Sequence, residues 1–394
     1  MGAAAIYLWC SAIYRAGPTE RTDLPVYLAG AGEVLLGRDP FGAISGRGWP
    51  YIYPPTLATL LIPLTPLPQR AAAGVWYLFS LGCLLLGLRA LRRALATPGP
   101  FLGRELVPLA LIALPASSAL LRGQVSPLLL GLLGLAWLEL EREHELRAGV
   151  LVALAAAIKL TPGLVLLGFA ADRRWRACVG FALGAFLWLV LVPLPWLGLS
   201  GTHAALRDYV PRVILPAAQR PEDPHLGLQP NLHIGTNQSL TSQALRRLPP
   251  AASRPLCALG GGLLLAWTLV LCARRRLDLV AWAWLLGLPL LVAPVAWHHY
   301  HVLLFPALLL LARAERRRSL ALFALLSLIH FVWRPARDLG LLGWGTLWVL
   351  IACSCLPLEE GRVAQVRPGN SAPDSAPLGE ERTGPSLTTP SETQ

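Results

Sequence analysis

The sequence has few charged residues, and only one of its basic residues, Lys159, is a lysine. Charged residues make up 14% of the 394 positions, whereas soluble domains have about 25%. With 55% hydrophobic residues, the chain has too few charges to cover a water-exposed globule, so an integral membrane protein is indicated. The formal net charge is +12. Its arginines stand in short groups between apolar runs, which favours topology signals over a nucleic-acid-binding patch.

Cysteine motifs are also lacking. The seven cysteines lie mostly in or beside apolar runs, and none is in a Cys-x-x-Cys pair, so the spacing suggests neither a disulfide framework nor a zinc site. A histidine group, His298, His299 and His301, has no nearby cysteine or paired carboxylate to complete a zinc site. Interfacial histidines beside a tryptophan are the simpler interpretation.

No charged n-region with a small-residue cleavage site is present, so no signal peptide is predicted. The first apolar run, residues 2–14, is shorter than the roughly 17 to 25 residues of a spanning helix. We expect either a misplaced start codon or a partly interfacial helix. Apolar runs lie at about 2–14, 71–91, 105–121, 126–140, 148–171, 177–199, 255–273, 279–296, 302–313, 319–333 and 340–356.

These runs predict an all-α polytopic membrane protein with about 10 spanning helices. Residues 1–356 form one integral membrane domain in this interpretation. The tail, 357–394, is rich in Pro, Ser, Thr, Gly and Glu, and we expect it to be disordered in the cytoplasm. Arginine groups between the runs are expected on the cytoplasmic side. Four stretches then lie outside: a first loop at 15–70, residues 122–126, a long loop at 200–254, and residues 297–301.

Residues 148–171 are expected to form a broken hairpin. Arginine groups flank this run at both ends, so it must enter and leave on the same face of the membrane. We place the break at Thr161-Pro162-Gly163, with Lys159 near the buried tip. An ionisable residue inside a membrane is a functional hypothesis by default. A lysine that snorkels to the interface is the alternative.

Asp23 opens the polar segment 22–55, which Tyr53-Pro54-Pro55 closes. A helix-like run follows Asp23 and ends at Gly37, so a helix N-cap with a glycine stop is one interpretation. A general base is the other, because a carboxylate can accept an amide hydrogen bond with one oxygen and a sugar proton with the other. The apolar, proline-rich residues 54–68 are expected to form an interfacial or partly inserted helix within the first outer loop.

Ordered blocks across residues 22–310 resemble glycosyltransferase family 87, bacterial polyprenol-phosphate-mannose-dependent mannosyltransferases of the GT-C fold. The blocks begin with Asp23-Leu24-Pro25-Val26-Tyr27 and Tyr53-Pro54-Pro55. The others are Gly123-Gln124-Val125, Ile158-Lys159-Leu160-Thr161-Pro162, Arg174-Trp175-Arg176, Asn237-Gln238-Ser239-Leu240, and Pro294-Val295-Ala296-Trp297 followed by His299-Tyr300.

The resemblance implies a GT-C-like bundle in which mannose passes, with inversion, from a polyprenyl-phosphate donor to a hydroxyl of an envelope glycolipid or glycan. The site would face outward from the bacterial cytoplasmic membrane. Asp23 would be the base, His299 a second catalytic residue, and Lys159 the first choice for the phosphate, ahead of Arg122. The remaining substrate-binding residues would be Tyr27, Tyr53, Gln124, Asn237, Gln238 and Trp297. No cofactor is required, although one carboxylate with the lipid phosphate leaves a divalent metal open.

Two other functions remain open at this point. A transporter or flippase of lipid-linked sugars would need polar groups near the membrane midplane that are reachable from both sides. Only Lys159 is predicted to lie that deep. A non-catalytic partner in envelope assembly would leave Asp23 and His299 far apart.

Overall fold

The computed structural model describes residues 7–11, 22–46, 48–95, 105–215 and 235–357. The tail from residue 358 onward and the middle of the long loop, residues 216–234, lie outside the described residues. Of the first apolar run, residues 7–11 are described, and they are helical.

Helices account for nearly all of the regular structure in these ranges, which agrees with the predicted all-α class. Two isolated β-bridges join Ile44 to Pro50 and Asn237 to Trp297. The helices discussed below are α1 (Leu24–Leu35), α2 (Pro55–Leu61), α3 (Gln69–Ala94), α4 (Leu106–Arg122), α5 (Ser126–Glu141), α6 (Glu145–Ile158), α7 (Val165–Ala171), α8 (Trp175–Phe186), α9 (Leu194–Tyr209), α10 (Leu240–Arg247), α11 (Pro250–Arg275), α12 (Leu279–Val292), α13 (Phe305–Arg313), α14 (Arg317–Val332), α15 (Arg334–Leu339) and α16 (Leu341–Ser354).

Several of these helices are apolar enough for a bilayer. Gln69–Arg93 and Pro250–Arg275 are each long enough to cross it alone. Two further pairs qualify together but bend sharply: α4 with α5, by 120°, and the segments 175–191 and 194–214, by 103°. Counting each bent pair as one span gives four within the described part of the chain. This composition fits a polytopic membrane protein, while the expected number of about 10 spans stays a prediction.

Glycines allow α6 and α8 to pack backbone to backbone. A Cβ atom on Gly149 would lie 2.1 Å from the carbonyl oxygen of Ala177, and one on Gly180 would lie 2.2 Å from that of Leu146. No larger side chain fits between the helices at this crossing, as is typical of helix pairs in membranes.

The predicted break between residues 148 and 171 is present. Helix α6 ends at Ile158, Lys159 is extended with φ −149° and ψ 126°, and a 3-10 turn covers Thr161–Leu164. Arg174 Nη1 donates to Glu145 Oε1 over 3.3 Å. The chain therefore returns to the end of α6 from which it started, and Lys159 lies at the opposite end.

The first loop is folded around short helices. Helix α2 and the 3-10 turn Ile62–Leu64 form where an interfacial helix was expected. Much of α2 is buried against the rest of the protein, and Thr56 Oγ1 donates to the carbonyl oxygen of Trp188 over 2.8 Å. The placement of this segment at the membrane surface stays a prediction.

Candidate active site

Asp23 occupies the N-cap position of α1, but its side chain makes no capping hydrogen bond. Its backbone N–H donates to the carbonyl oxygen of Arg122 over 2.8 Å, and the side-chain Nε2 of Gln124 donates to Asp23 Oδ2. Among the described residues, no group hydrogen-bonds to the second carboxylate oxygen, Oδ1. Asp23 is therefore the N-cap residue by position, but its carboxylate does not cap the helix.

The surroundings of Asp23 raise its basicity. It lies ahead of α1, outside the spanning helices, and burial raises the pKa of its carboxyl from 3.8 to about 6. The positive charge of Arg122, the hydrogen bond from Gln124 and the charge of Lys159 oppose this rise, in that order. A carboxyl with a pKa of about 6 is ionised at neutral pH and accepts a proton more readily than an ordinary aspartate.

Lys159 and Asp23 are linked through Tyr300. Lys159 Nζ lies 3.4 Å from the centroid of the Tyr300 ring, a cation–π contact. The Tyr300 hydroxyl donates to Gln124 Oε1 over 3.3 Å, and Gln124 holds Asp23. The break that follows α6 therefore places Lys159 in one cluster with Tyr300, Gln124 and Asp23. No described carboxylate lies within ion-pairing distance of its ammonium group.

Tyr27 and Tyr53, both expected to shape a sugar pocket, lie beside this cluster. The Tyr27 hydroxyl donates to that of Tyr53 over 3.2 Å, and their ring centroids are 5.0 Å apart. Tyr27 also packs edge-on against Trp76, whose Nε1 donates to the carbonyl oxygen of Gly123. The phenol groups of both residues interact electrostatically with the carboxylate of Asp23. Their contact with a sugar stays a prediction.

His299 lies next to the cluster and is 3% exposed. Its carbonyl oxygen accepts from Ser126 Oγ over 3.1 Å, and its ring lies between those of Trp297 and Tyr300, with centroids 6.3 and 4.6 Å away. Neither ring nitrogen has a hydrogen-bond partner among the described residues. Asp23 and His299 thus share one region through Tyr300, and a buried imidazole without a partner is available to a ligand.

Asn237 and Gln238, both expected to bind the sugar, hydrogen-bond to backbone segments in the structure. Asn237 Nδ2 donates to the carbonyl oxygen of Pro294 over 2.8 Å, and its Oδ1 accepts from the backbone N–H of Ala296 over 2.9 Å. Gln238 Nε2 donates to the Arg337 carbonyl oxygen over 3.0 Å. Both amides join backbone segments, and a direct contact with substrate stays untested.

Clustered metal ligands were sought among the side chains of the ranges that the structure describes. No group of three or more His, Cys, Asp or Glu side chains there is placed to hold a metal ion. Asp23 is the one carboxylate in the cluster around Tyr300, Lys159 and Gln124. Whether a metal takes part in the reaction stays open.

Sequence reasoning gave Tyr300 no role in the site. It is 7% exposed and contacts Gln124, Lys159 and His299. Its signals in the sequence are its place in the predicted outer stretch 297–301 and in the block that ends with His299-Tyr300. Arg122, ranked below Lys159 as a phosphate ligand, also lies close, since it acts electrostatically on Asp23 and His299.

Comparisons with known proteins match most of this chain. A model of glycosyltransferase family 87 matches residues 51–294. A polyprenol-phosphate-mannose-dependent alpha-(1-2)-phosphatidylinositol mannoside mannosyltransferase of Mycobacterium tuberculosis is 27% identical over 347 residues, covering 80% of this chain and 76% of that protein. A polyprenol-phosphate-mannose-dependent alpha-(1-2)-phosphatidylinositol pentamannoside mannosyltransferase of Mycolicibacterium smegmatis is 29% identical over 352 residues, covering 82% of this chain and 73% of that protein.

Proposed function

This chain belongs to glycosyltransferase family 87, and from that membership we propose that it transfers mannose, with inversion, from polyprenyl-phosphate mannose to a hydroxyl on the outer face of the bacterial cytoplasmic membrane. It is a hexosyltransferase, and the donor is the one named for both mycobacterial relatives. The arginine groups between apolar runs support the outward-facing site, because they favour the cytoplasmic side.

The proposed reaction is one displacement at the anomeric carbon. The acceptor hydroxyl oxygen forms a bond to that carbon, and the bond from the carbon to the phosphate oxygen breaks. The bonding electrons leave with the polyprenyl phosphate, and the hydroxyl proton passes to Asp23. A single displacement inverts the configuration and needs one base and no nucleophilic residue.

One observation carries this proposal: Asp23 Oδ2 is held by Gln124 while Oδ1 has no described partner, within a cluster that also contains Lys159. Asp23 Oδ1 accepts the hydroxyl proton. The ammonium group of Lys159 attracts the phosphate, whose negative charge grows as the bond breaks. His299 adds a buried imidazole that can hydrogen-bond the phosphate or the sugar.

We further propose a glycolipid as the acceptor. Both relatives carry a phosphatidylinositol mannoside in their names, and the match covers about three quarters of each. A lipid acceptor and a lipid donor would both reach the site from the bilayer.

The test is to incubate membranes from cells that overproduce the protein with polyprenyl-phosphate [14C]mannose and purified phosphatidylinositol mannosides. Membranes with the Asp23→Asn variant are the control. We expect a labelled, longer glycolipid with an alkali-stable glycosidic bond in wild-type membranes alone. Label that crosses sealed vesicles while remaining on the polyprenyl phosphate would indicate a flippase instead. No labelled product with any lipid or glycan acceptor from the same membranes would overturn the proposal.

A further inference from the structure

A hydrogen-bonded chain of buried side chains ends on the carboxylate of Asp23. Tyr300 donates to Gln124 Oε1 over 3.3 Å, and Gln124 Nε2 donates to Asp23 Oδ2. The Tyr300 hydroxyl and the Gln124 amide thus both donate in the direction of the carboxylate. Beside this chain, the Tyr27 hydroxyl donates to that of Tyr53 over 3.2 Å.

The ring of Tyr300 also makes the cation–π contact with Lys159. Lys159 Nζ lies 3.4 Å from its centroid. The same side chain thus contacts the residue that holds the base and the cation assigned to the phosphate. We propose that Tyr300 is a positioning residue, whose hydroxyl fixes the orientation of Gln124 towards Asp23 and whose ring fixes the place of Lys159. This inference rests on the proposed function.

The hydroxyl of Tyr300 matters because a glutamine amide has two orientations of almost the same shape. In one, Nε2 faces the carboxylate and donates to it. In the other, Oε1 faces the carboxylate and repels it. The Tyr300 hydroxyl donates to Oε1 in the first orientation, and this hydrogen bond adds to the preference that the carboxylate itself sets. Gln124 is 2% exposed, so water does not replace this donor.

Loss of this hydrogen bond has a predictable effect on the pH profile. The groups that face Asp23 are the cations of Arg122 and Lys159 and the phenols of Tyr27, Tyr53 and Tyr300. The phenols are neutral in the acid range, and both cations remain in a Tyr300→Phe variant. The hydrogen bond from Gln124 lowers the pKa of Asp23, so its weakening raises that pKa further.

Two substitutions separate the two roles of Tyr300. Tyr300→Phe keeps the ring under Lys159 and removes the hydroxyl. We expect kcat to fall about tenfold and the KM for polyprenyl-phosphate mannose to stay unchanged. The acid limb, meaning the fall of kcat on the acid side of its pH profile, should move to higher pH by about half a unit or more. Tyr300→Leu removes the ring as well, so the KM for the donor should also rise, by about two- to thirtyfold.

Tyr209→Phe is the matched control. Tyr209 stacks on Phe41 with centroids 5.8 Å apart, and the variant loses a hydroxyl away from the cluster while keeping its ring. Its kcat, KM and acid limb should equal those of the wild type. Thermal unfolding of each purified protein in detergent verifies that the variants are folded.

A double-mutant cycle tests whether Tyr300 acts through Gln124. In a Gln124→Met background the amide is gone, so adding Tyr300→Phe should cause no further shift of the acid limb. Fully additive shifts, or wild-type kcat and acid limb in Tyr300→Phe, would overturn the inference. If the wild-type protein transfers no mannose, the proposed function fails instead. An active wild type with an unaffected Tyr300→Phe removes only the positioning role.

Discussion

The amide of Gln124 donates to the carboxylate of Asp23 from a position 101 residues further along the chain. Gln124 follows the glycine that ends α4, and Asp23 precedes α1, so two helix boundaries meet at this hydrogen bond. The contact holds one carboxylate oxygen, and the proposed acceptor hydroxyl would meet the other. It is the geometric basis for proposing Asp23 as the base.

Replacing Asp23 with asparagine should remove the base while keeping the side-chain shape. General-base catalysis contributes about 10²- to 10⁴-fold, and we expect a loss of that size in kcat from Asp23→Asn. Asp39→Asn is the matched control, because Asp39 lies in the same loop, is 40% exposed and pairs with Arg212. Initial rates of [14C]mannose transfer measure both. Equal rates for Asp23→Asn and wild type would rule out the base assignment.

The rate of transfer should depend on pH through Asp23. Its carboxyl must be ionised to accept a proton, and its pKa is about 6. The rate should therefore be constant above about pH 7 and fall about tenfold for each unit below 6. A pH series of kcat in proteoliposomes, with Asp23→Glu for comparison, measures this limb. A flat profile between pH 5 and 8 would contradict an ionising base in this position.

Lys159 is the only lysine in the chain, so amine-reactive reagents have one side-chain target. Acylation of its Nζ removes the positive charge, and we expect loss of donor binding with a higher KM for polyprenyl-phosphate mannose. Polyprenyl phosphate should protect against inactivation. The variant Lys159→Arg is the control, because its remaining activity should be insensitive to the reagent. Equal inactivation of both proteins would place the sensitive amine elsewhere.

Asn237→Ala should lower stability more than it changes substrate affinity. The substitution leaves the backbone N–H of Ala296 and the carbonyl oxygen of Pro294 without their partner, and each buried unpaired group costs about 1–3 kcal/mol. Thermal unfolding in detergent and the KM for the donor distinguish the two roles. An unchanged unfolding temperature with a raised KM would favour the sugar contact predicted from sequence.

Gly149→Ala should disrupt the contact between α6 and α8. Its Cβ would lie 2.1 Å from the Ala177 carbonyl oxygen, so the helices must separate, at a cost of about 1–3 kcal/mol. Gly262→Ala in α11 is the control, since a Cβ there meets no atom within 4 Å. The measurement is the unfolding temperature of the two variants in the same detergent. Equal temperatures would show that the helix contact adapts without cost.

Some of the site was readable from the sequence because its signals are local. The position of Asp23 at the start of the polar segment 22–55 marked it as a candidate base. The Pro-Gly pair after Lys159 predicted the break that the structure has at residues 159–164. The blocks that resemble glycosyltransferase family 87 predicted the family that the comparisons identify.

Other parts of the site could not be predicted from the sequence. Tyr300 was given no role because nothing next to it in the chain reveals a hydrogen bond to Gln124, 176 residues away. Asn237 was grouped with the sugar ligands, since a polar amide in a predicted outer loop resembles a binding residue. Its partners include backbone atoms of residues 294 and 296, and no local pattern encodes these two contacts.

The sequence by itself determined the membrane class, the helical composition and the family, because each follows from summed hydrophobicity or from short ordered motifs. The tertiary structure alone decided that Asp23 is held by Gln124 instead of capping its own helix. It also decided that Lys159 rests on Tyr300. The physical reason is that a hydrogen bond or a cation–π contact requires atoms a few ångströms apart. Only the packing of helices far apart in sequence brings these atoms together.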